Sequence, residues 1–233
     1  MNRRRVAEFA GSAGLGAWVA FGLLALLVSG RHGAPLALDR TLHSWSLGHR
    51  PDVAVAVARG ITVTGTGIVP YALVVLAGVL AGRGRRGRAG AVLLGVLCLA
   101  VGEALRYGVM DLVARPRPPE QDWETLASGW SFPSGHSTTS AITAGLLLLA
   151  LAVRVPHGGW IWRAAVACWG VAVGLTRVFL GVHWFTDVLG GWLFAVGWLG
   201  VCGCAAATWL PATWLPPGPE DGADAPDRPV TTG

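Results

Sequence analysis

The chain has 233 residues, of which 53% are hydrophobic and only 13% charged, and its mean hydropathy is +0.53. The charged share is about half that of an ordinary soluble domain, so the composition excludes a soluble enzyme and calls for an integral membrane protein. All 18 basic side chains are arginine, and they cluster at the ends of apolar runs, so the net charge of +5 reads as membrane topology rather than as nucleic-acid binding.

A helix that crosses a bilayer needs roughly 20 mostly apolar residues. Six stretches qualify, at 13–30, 61–82, 89–109, 137–154, 161–179 and 184–209. They predict an all-α fold, a bundle of six transmembrane helices over 13–210, with a short arm at 1–12 and a disordered tail at 211–233 that is rich in Pro, Gly and Asp. The first run also has the layout of a cleavable signal peptide, with arginines before it and small residues at Ala34–Ala37, but a retained helix is the expectation. Between the runs lie 31–60 with Pro35 and Pro51, the arginine-rich 83–88, the long 111–136 segment and 154–160, all expected as loops. The pairs Gly78/Gly82 and Gly170/Gly174 have the spacing that lets helices approach closely. Cys98, Cys168, Cys202 and Cys204 fall inside apolar runs and form neither a disulfide framework nor a metal-ligand spacing.

Arg3, Arg4 and Arg5 precede the first run, and Arg83, Arg85, Arg86 and Arg88 follow the second, which predicts cytoplasmic flanks at those points and both termini inside. Arg31, Arg40, Arg50 and Arg59 oppose that orientation, partly balanced by Asp39 and Asp52. Counting spans from there places the 111–136 segment and the turn at 180–183 together on the extracytoplasmic side.

Those two segments carry the chemistry. Arg115-Pro116-Arg117-Pro118, Pro133-Ser134-Gly135-His136, and Thr176-Arg177 followed by His183 and Asp187 would bring arginines and two histidines around one anion. Phosphoryl transfer needs cations and N–H donors around the phosphate oxygens, an in-line nucleophile and a proton for the leaving oxygen. Arg117 and Arg177 offer planar forks that bind phosphate oxygens bidentately, although interfacial arginines also snorkel without binding anything. Ser134 is placed to cap a helix, Gly135 lets the backbone approach closely, and the free N–H groups of that helix start attract an anion. His183 and Asp187 are four apart, so on a helix the carboxylate can take one ring N–H and leave the other nitrogen to attack phosphorus. Glu103 and Arg106, three apart in the third run, are expected to neutralise each other. His32, His43, His49 and His157 read as solvated loop residues, and Trp45, Trp123 and Trp130 as interfacial anchors.

These segments resemble the type 2 phosphatidic acid phosphatase superfamily, whose signature is a lysine followed after six positions by Arg-Pro, then Pro-Ser-Gly-His, then Ser-Arg-x5-His-x3-Asp. The second part is identical at Pro133–His136, and Arg177, His183 and Asp187 reproduce the third spacing. Thr176 replaces the usual serine, and Met110 stands where the lysine belongs, so Arg106 or Arg115 is expected to supply the missing cation. The resemblance implies His183 as nucleophile, Asp187 as its orienting partner and His136 as the acid for the leaving alkoxide. It implies Arg117, Ser134, Gly135 and Arg177 as phosphate ligands, and neither metal nor cofactor.

The function so implied is that of a membrane phosphatase acting on a lipid phosphate or diphosphate, such as an isoprenyl diphosphate, phosphatidate or phosphatidylglycerophosphate, with its site at the extracytoplasmic end of the bundle. Two rivals share the pattern. A non-catalytic lipid-phosphate binder or transporter would be indifferent to loss of His183, and a vanadate-dependent haloperoxidase, disfavoured by the apolar spans, would oxidise halide.

Overall fold

The computed structural model describes residues 3–209, so the tail expected from 211 lies outside the described residues. Among these residues there is no strand, and the helices run α1 (Arg3–Gly30), α2 (Ala37–Gly48), α3 (Asp52–Val63), α4 (Ile68–Ala81), α5 (Gly84–Val113), α6 (Gly135–Arg154), α7 (Trp160–Phe179) and α8 (Phe185–Trp209). Five of them contain a stretch long and apolar enough to cross a membrane: Ala10–Gly30 of α1, and α5, α6, α7 and α8. A sixth crossing requires α3 and α4 together, which are bent by 54° relative to each other.

That bend corrects the continuous span expected at 61–82. The chain turns through Thr64–Gly67, where Gly67 takes a positive φ of 69° and any side chain at Gly65 would collide with Val173. The Thr64 hydroxyl donates to the Ile61 carbonyl at 2.6 Å and accepts Trp169 Nε1 at 2.8 Å, which pins the break to α7. The 31–60 segment, expected as a loop, holds α2 and most of α3. In α2 the buried face is polar, Asp39, His43 and Ser46, while Leu38, Trp45 and Leu47 point outward. A helix that is polar toward the protein and apolar toward its surroundings suits the rim of a membrane.

α6 is the central helix, packed against α4, α5, α7 and α8, and its small polar side chains Ser137, Thr138, Ser140 and Thr143 are buried. α1 lies along α8, where a Cβ on Gly14 would come within 2.9 Å of the Gly200 Cα. The anticipated small-residue contacts also occur: Gly78 leaves no room for a side chain against the Val92 backbone, and Gly170 meets Ala144. Phe132, fully buried, stacks on Phe21 with ring centroids 5.7 Å apart and so fastens the α5–α6 connection to α1.

Candidate active site

The α5–α6 connection, the α7–α8 turn and the α3–α4 break meet at one end of the bundle around a cavity of about 520 Å³. Backbone bonds close this end. Ser131 N donates to the Arg115 carbonyl at 2.8 Å, Ser134 N to the Asp187 carbonyl at 3.0 Å, and His183 N to the Arg177 carbonyl at 3.2 Å. Arg106, Arg117, Gly135, His136, Arg177 and His183 all line the cavity, so segments far apart in the chain share one space.

His183 sits in the turn before α8 rather than on it, yet the expected pair forms: its Nδ1 lies 3.3 Å from Asp187 Oδ2, at the long end for an N–H···O bond. The same oxygen accepts Trp184 N at 2.8 Å. The other ring nitrogen, Nε2, accepts Arg117 Nη1 at 2.9 Å, so the network assigns the proton to Nδ1. Burial first, then the charges of Arg117 and Arg177, push the His183 imidazole well below its ordinary pKa, so it is neutral at neutral pH.

Arg177, almost fully buried, donates from Nη1 to Thr62 Oγ1 at 2.9 Å and keeps an unpartnered Nε. Arg106 is also buried, lies over the Tyr107 ring at 3.6 Å, touches Met110 Sδ at 3.3 Å and likewise has an unpartnered Nε. Its guanidinium rests on the start of α6, where a Cβ on Gly135 would be 3.3 Å from Arg106 Cζ. Glu103 makes no direct ion pair with it, though its charge acts on the guanidinium; that carboxylate accepts Tyr71 Oη at 2.7 Å and Thr139 Oγ1 at 3.0 Å. Buried, underused guanidinium groups facing a cavity make a strong anion site.

Three expectations need correction. Ser134 occupies the N-cap position of α6 but its side chain makes no cap bond, and its buried Oγ has no partner. Arg115 does not reach the cavity; it is fully buried beneath it, bonded to Asp39 at 2.8 Å and Asp187 at 2.5 Å. Of the two stand-ins considered for the family lysine, only Arg106 lines the pocket. His43 is not solvated: it is buried, with Nε2 2.9 Å from Asp122 Oδ2 and its ring 5.3 Å from that of Trp184. The Thr176 hydroxyl, at the usual serine position, turns back to its own helix and donates to the Val173 carbonyl at 2.6 Å.

Two threonines not anticipated from the sequence support the site: Thr66 lines the cavity, with Oγ1 3.3 Å from His136 Nε2, and Thr62 is buried behind Arg177. Their signal was the alternation Thr62, Thr64, Thr66 with two glycines inside an apolar run. Among the described residues no group of three or more His, Cys, Asp or Glu side chains is disposed to hold a metal ion.

Known proteins resemble this chain in fold and in sequence. The crystal structure of a transmembrane PAP2-type phosphatidylglycerolphosphate phosphatase from Bacillus subtilis superposes with a TM-score of 0.70 over 82% of this chain and 94% of that one, at 23% identity, a likeness of fold. In sequence, phosphatidylglycerophosphatase B of Bacillus subtilis is 35% identical over 113 residues, covering 46% of this chain and 53% of the relative. An undecaprenyl-diphosphatase of Sulfolobus acidocaldarius is 32% identical over 103 residues, 42% of this chain and 45% of the relative. The chain thus spans about half the length of these curated relatives. Residues 90–210, just over half of the chain and including every motif residue of the cavity, match the family profile, and the protein belongs to the PAP2 superfamily.

Proposed function

We propose that this protein is a metal-independent phosphatase that hydrolyses a lipid phosphate or diphosphate through a phosphohistidine on His183, at the extracytoplasmic face of the cell membrane. The observation that carries the reading is His183 Nε2, neutral and lone-pair outward, facing a cavity that also holds three arginines, two of them with unpartnered buried Nε groups. Arg106, Arg117 and Arg177, with the Ser134 hydroxyl and the N–H groups at Gly135, would hold the phosphate oxygens and neutralise their charge, the task a divalent cation performs in other phosphatases.

His183 Nε2 attacks phosphorus, the bond from phosphorus to the leaving oxygen breaks, and His136 gives that oxygen a proton. Asp187 keeps Nδ1–H oriented and stabilises the ring as it gains charge. Water then attacks the phosphohistidine, His136 takes the water's proton, the N–P bond breaks and inorganic phosphate leaves. Apolar spans beneath the cavity favour a substrate whose tail stays in lipid while its headgroup meets the arginines. The names of the relatives from Bacillus subtilis and Sulfolobus acidocaldarius put both a phosphatidylglycerophosphate and an undecaprenyl diphosphate within the range to be tried. The arginines at 3–5 and 83–88 support the outward orientation, against Arg31, Arg40, Arg50 and Arg59.

The reading is tested by phosphate release from purified lipid phosphates and diphosphates in the presence of a chelator. Native protein is expected to release phosphate from at least one of them and His183→Ala from none; activity abolished by the chelator would refute the metal-free chemistry.

A further inference from the structure

We propose that Asp39 and Arg115 are positioning residues for the His183–Asp187 pair, an inference that rests on the function proposed above. Both side chains are fully buried, on segments 76 residues apart. Arg115 spends its fork on this junction: Nη1 donates to Asp187 Oδ1 at 2.5 Å and Thr186 Oγ1 at 2.7 Å, Nη2 to Asp39 Oδ2 at 2.8 Å, and Nε to the Gly33 carbonyl at 3.2 Å. Asp39 also accepts Thr186 N at 2.9 Å and, at the start of its own helix, Leu36 N at 3.0 Å. α2 is thereby bolted to the first turn of α8.

The division of the Asp187 oxygens is what matters. Arg115 takes Oδ1, so Oδ2 is left to Trp184 N and to His183 Nδ1. A carboxylate fixed by donors on both oxygens cannot rotate away from the imidazole, and the ring keeps the tautomer that exposes Nε2. Without Arg115 a buried carboxylate loses its cation, and its orientation toward the ring is no longer enforced. Asp39 acts one step further out, by holding the guanidinium in the plane that meets Asp187.

The test compares full-length purified native protein with Arg115→Met, Arg115→Lys and Asp39→Asn. It reads kcat and KM on a lipid phosphate, competitive inhibition by inorganic phosphate, and the ring nitrogen that carries phosphate in trapped protein. Arg115→Met is expected to lower kcat roughly 100-fold and Asp39→Asn roughly 10-fold, the scale on which outer partners of functional side chains act. KM and inhibition by inorganic phosphate stay within about threefold, because the anion ligands are untouched. Phosphate on Nδ1 appears beside the Nε2 isomer in the variants, and Arg115→Lys, which keeps the charge, recovers most of the rate. An unchanged kcat in folded Asp39→Asn overturns the proposal, as does a KM that rises in step with the loss of kcat. Failure of all three variants to fold assigns the network to stability alone and overturns it too. Native protein that forms no phosphohistidine refutes the function first, and this inference with it.

Discussion

Arg117 Nη1 lies 2.9 Å from His183 Nε2, the ring nitrogen that Asp187 does not touch. The remaining N–H groups of Arg117 are also engaged, by the carbonyls of Ser128, Gly129, Trp130 and Val182. In the proposed reaction an incoming phosphoryl group takes the Nη1 donor from the ring, and in doing so frees the lone pair that attacks it. Lysine has no fork with which to hold the 128–130 backbone and the anion together. Arg117→Lys is expected to lose roughly 10- to 100-fold in kcat/KM in steady-state assays, and native values in that variant would contradict this role.

Arg106 and Met110 are four apart on α5 and in contact, at the place where the family carries its lysine. Arg106→Ala should cost about 1.5–3 kcal/mol of transition-state binding, a loss of roughly tenfold to a hundredfold in kcat/KM. Adding Met110→Lys to it should recover most of that loss by returning a cation to the same wall. A double variant no better than Arg106→Ala would show that Arg106 does not stand in for the lysine.

The pH dependence follows from the buried imidazole. Because the folded His183 is held well below the usual histidine range, it stays neutral under mildly acidic conditions. Phosphoenzyme formation, measured as a burst over a pH series, should keep its acid-side half-maximum below about 6.5, the ordinary histidine value. The unfolded chain binds a proton at His183 near that value while the folded chain does not, so this residue's contribution makes stability fall as pH drops through about 6.5. An acid-side half-maximum of the burst at or above about 6.5 would contradict the neutral, buried ring.

Thr62 supports Arg177 from the last turn of α3. Thr62→Val keeps the shape and removes the acceptor, and should raise KM about 3- to 10-fold with little change in kcat, since one hydrogen bond is worth about 0.5–1.5 kcal/mol. An unaltered KM would mean that Arg177 holds its position without Thr62.

Much of the cavity was legible in the sequence because polar residues inside apolar runs are costly, and Arg177, His183 and Asp187 stood out against theirs. What escaped detection depends on tertiary contacts. Asp39 lay in a stretch too short and too polar to read as a span, and its partner Arg115 is remote in the chain. α2 hides its polar face inside the protein, the reverse of the pattern that marks a surface helix, so His43 passed for a loop residue. The break at Thr64–Gly67 was masked by apolar residues on both sides, which merged α3 and α4 into one expected span. Ser134 was placed correctly at the start of α6, but whether its hydroxyl caps the helix or is left for a ligand depends on side-chain geometry that spacing does not encode.

The central claim is that His183 carries the phosphoryl group. Native protein and His183→Ala would be mixed with a lipid substrate labelled in its phosphate, in chelator, quenched within one turnover and digested for mapping. The account predicts an acid-labile, base-stable label on His183 in the native protein, and in His183→Ala no label and a turnover reduced by roughly 10⁴-fold or more. Phosphate release at the native rate by His183→Ala, or a label on any other side chain, would contradict it.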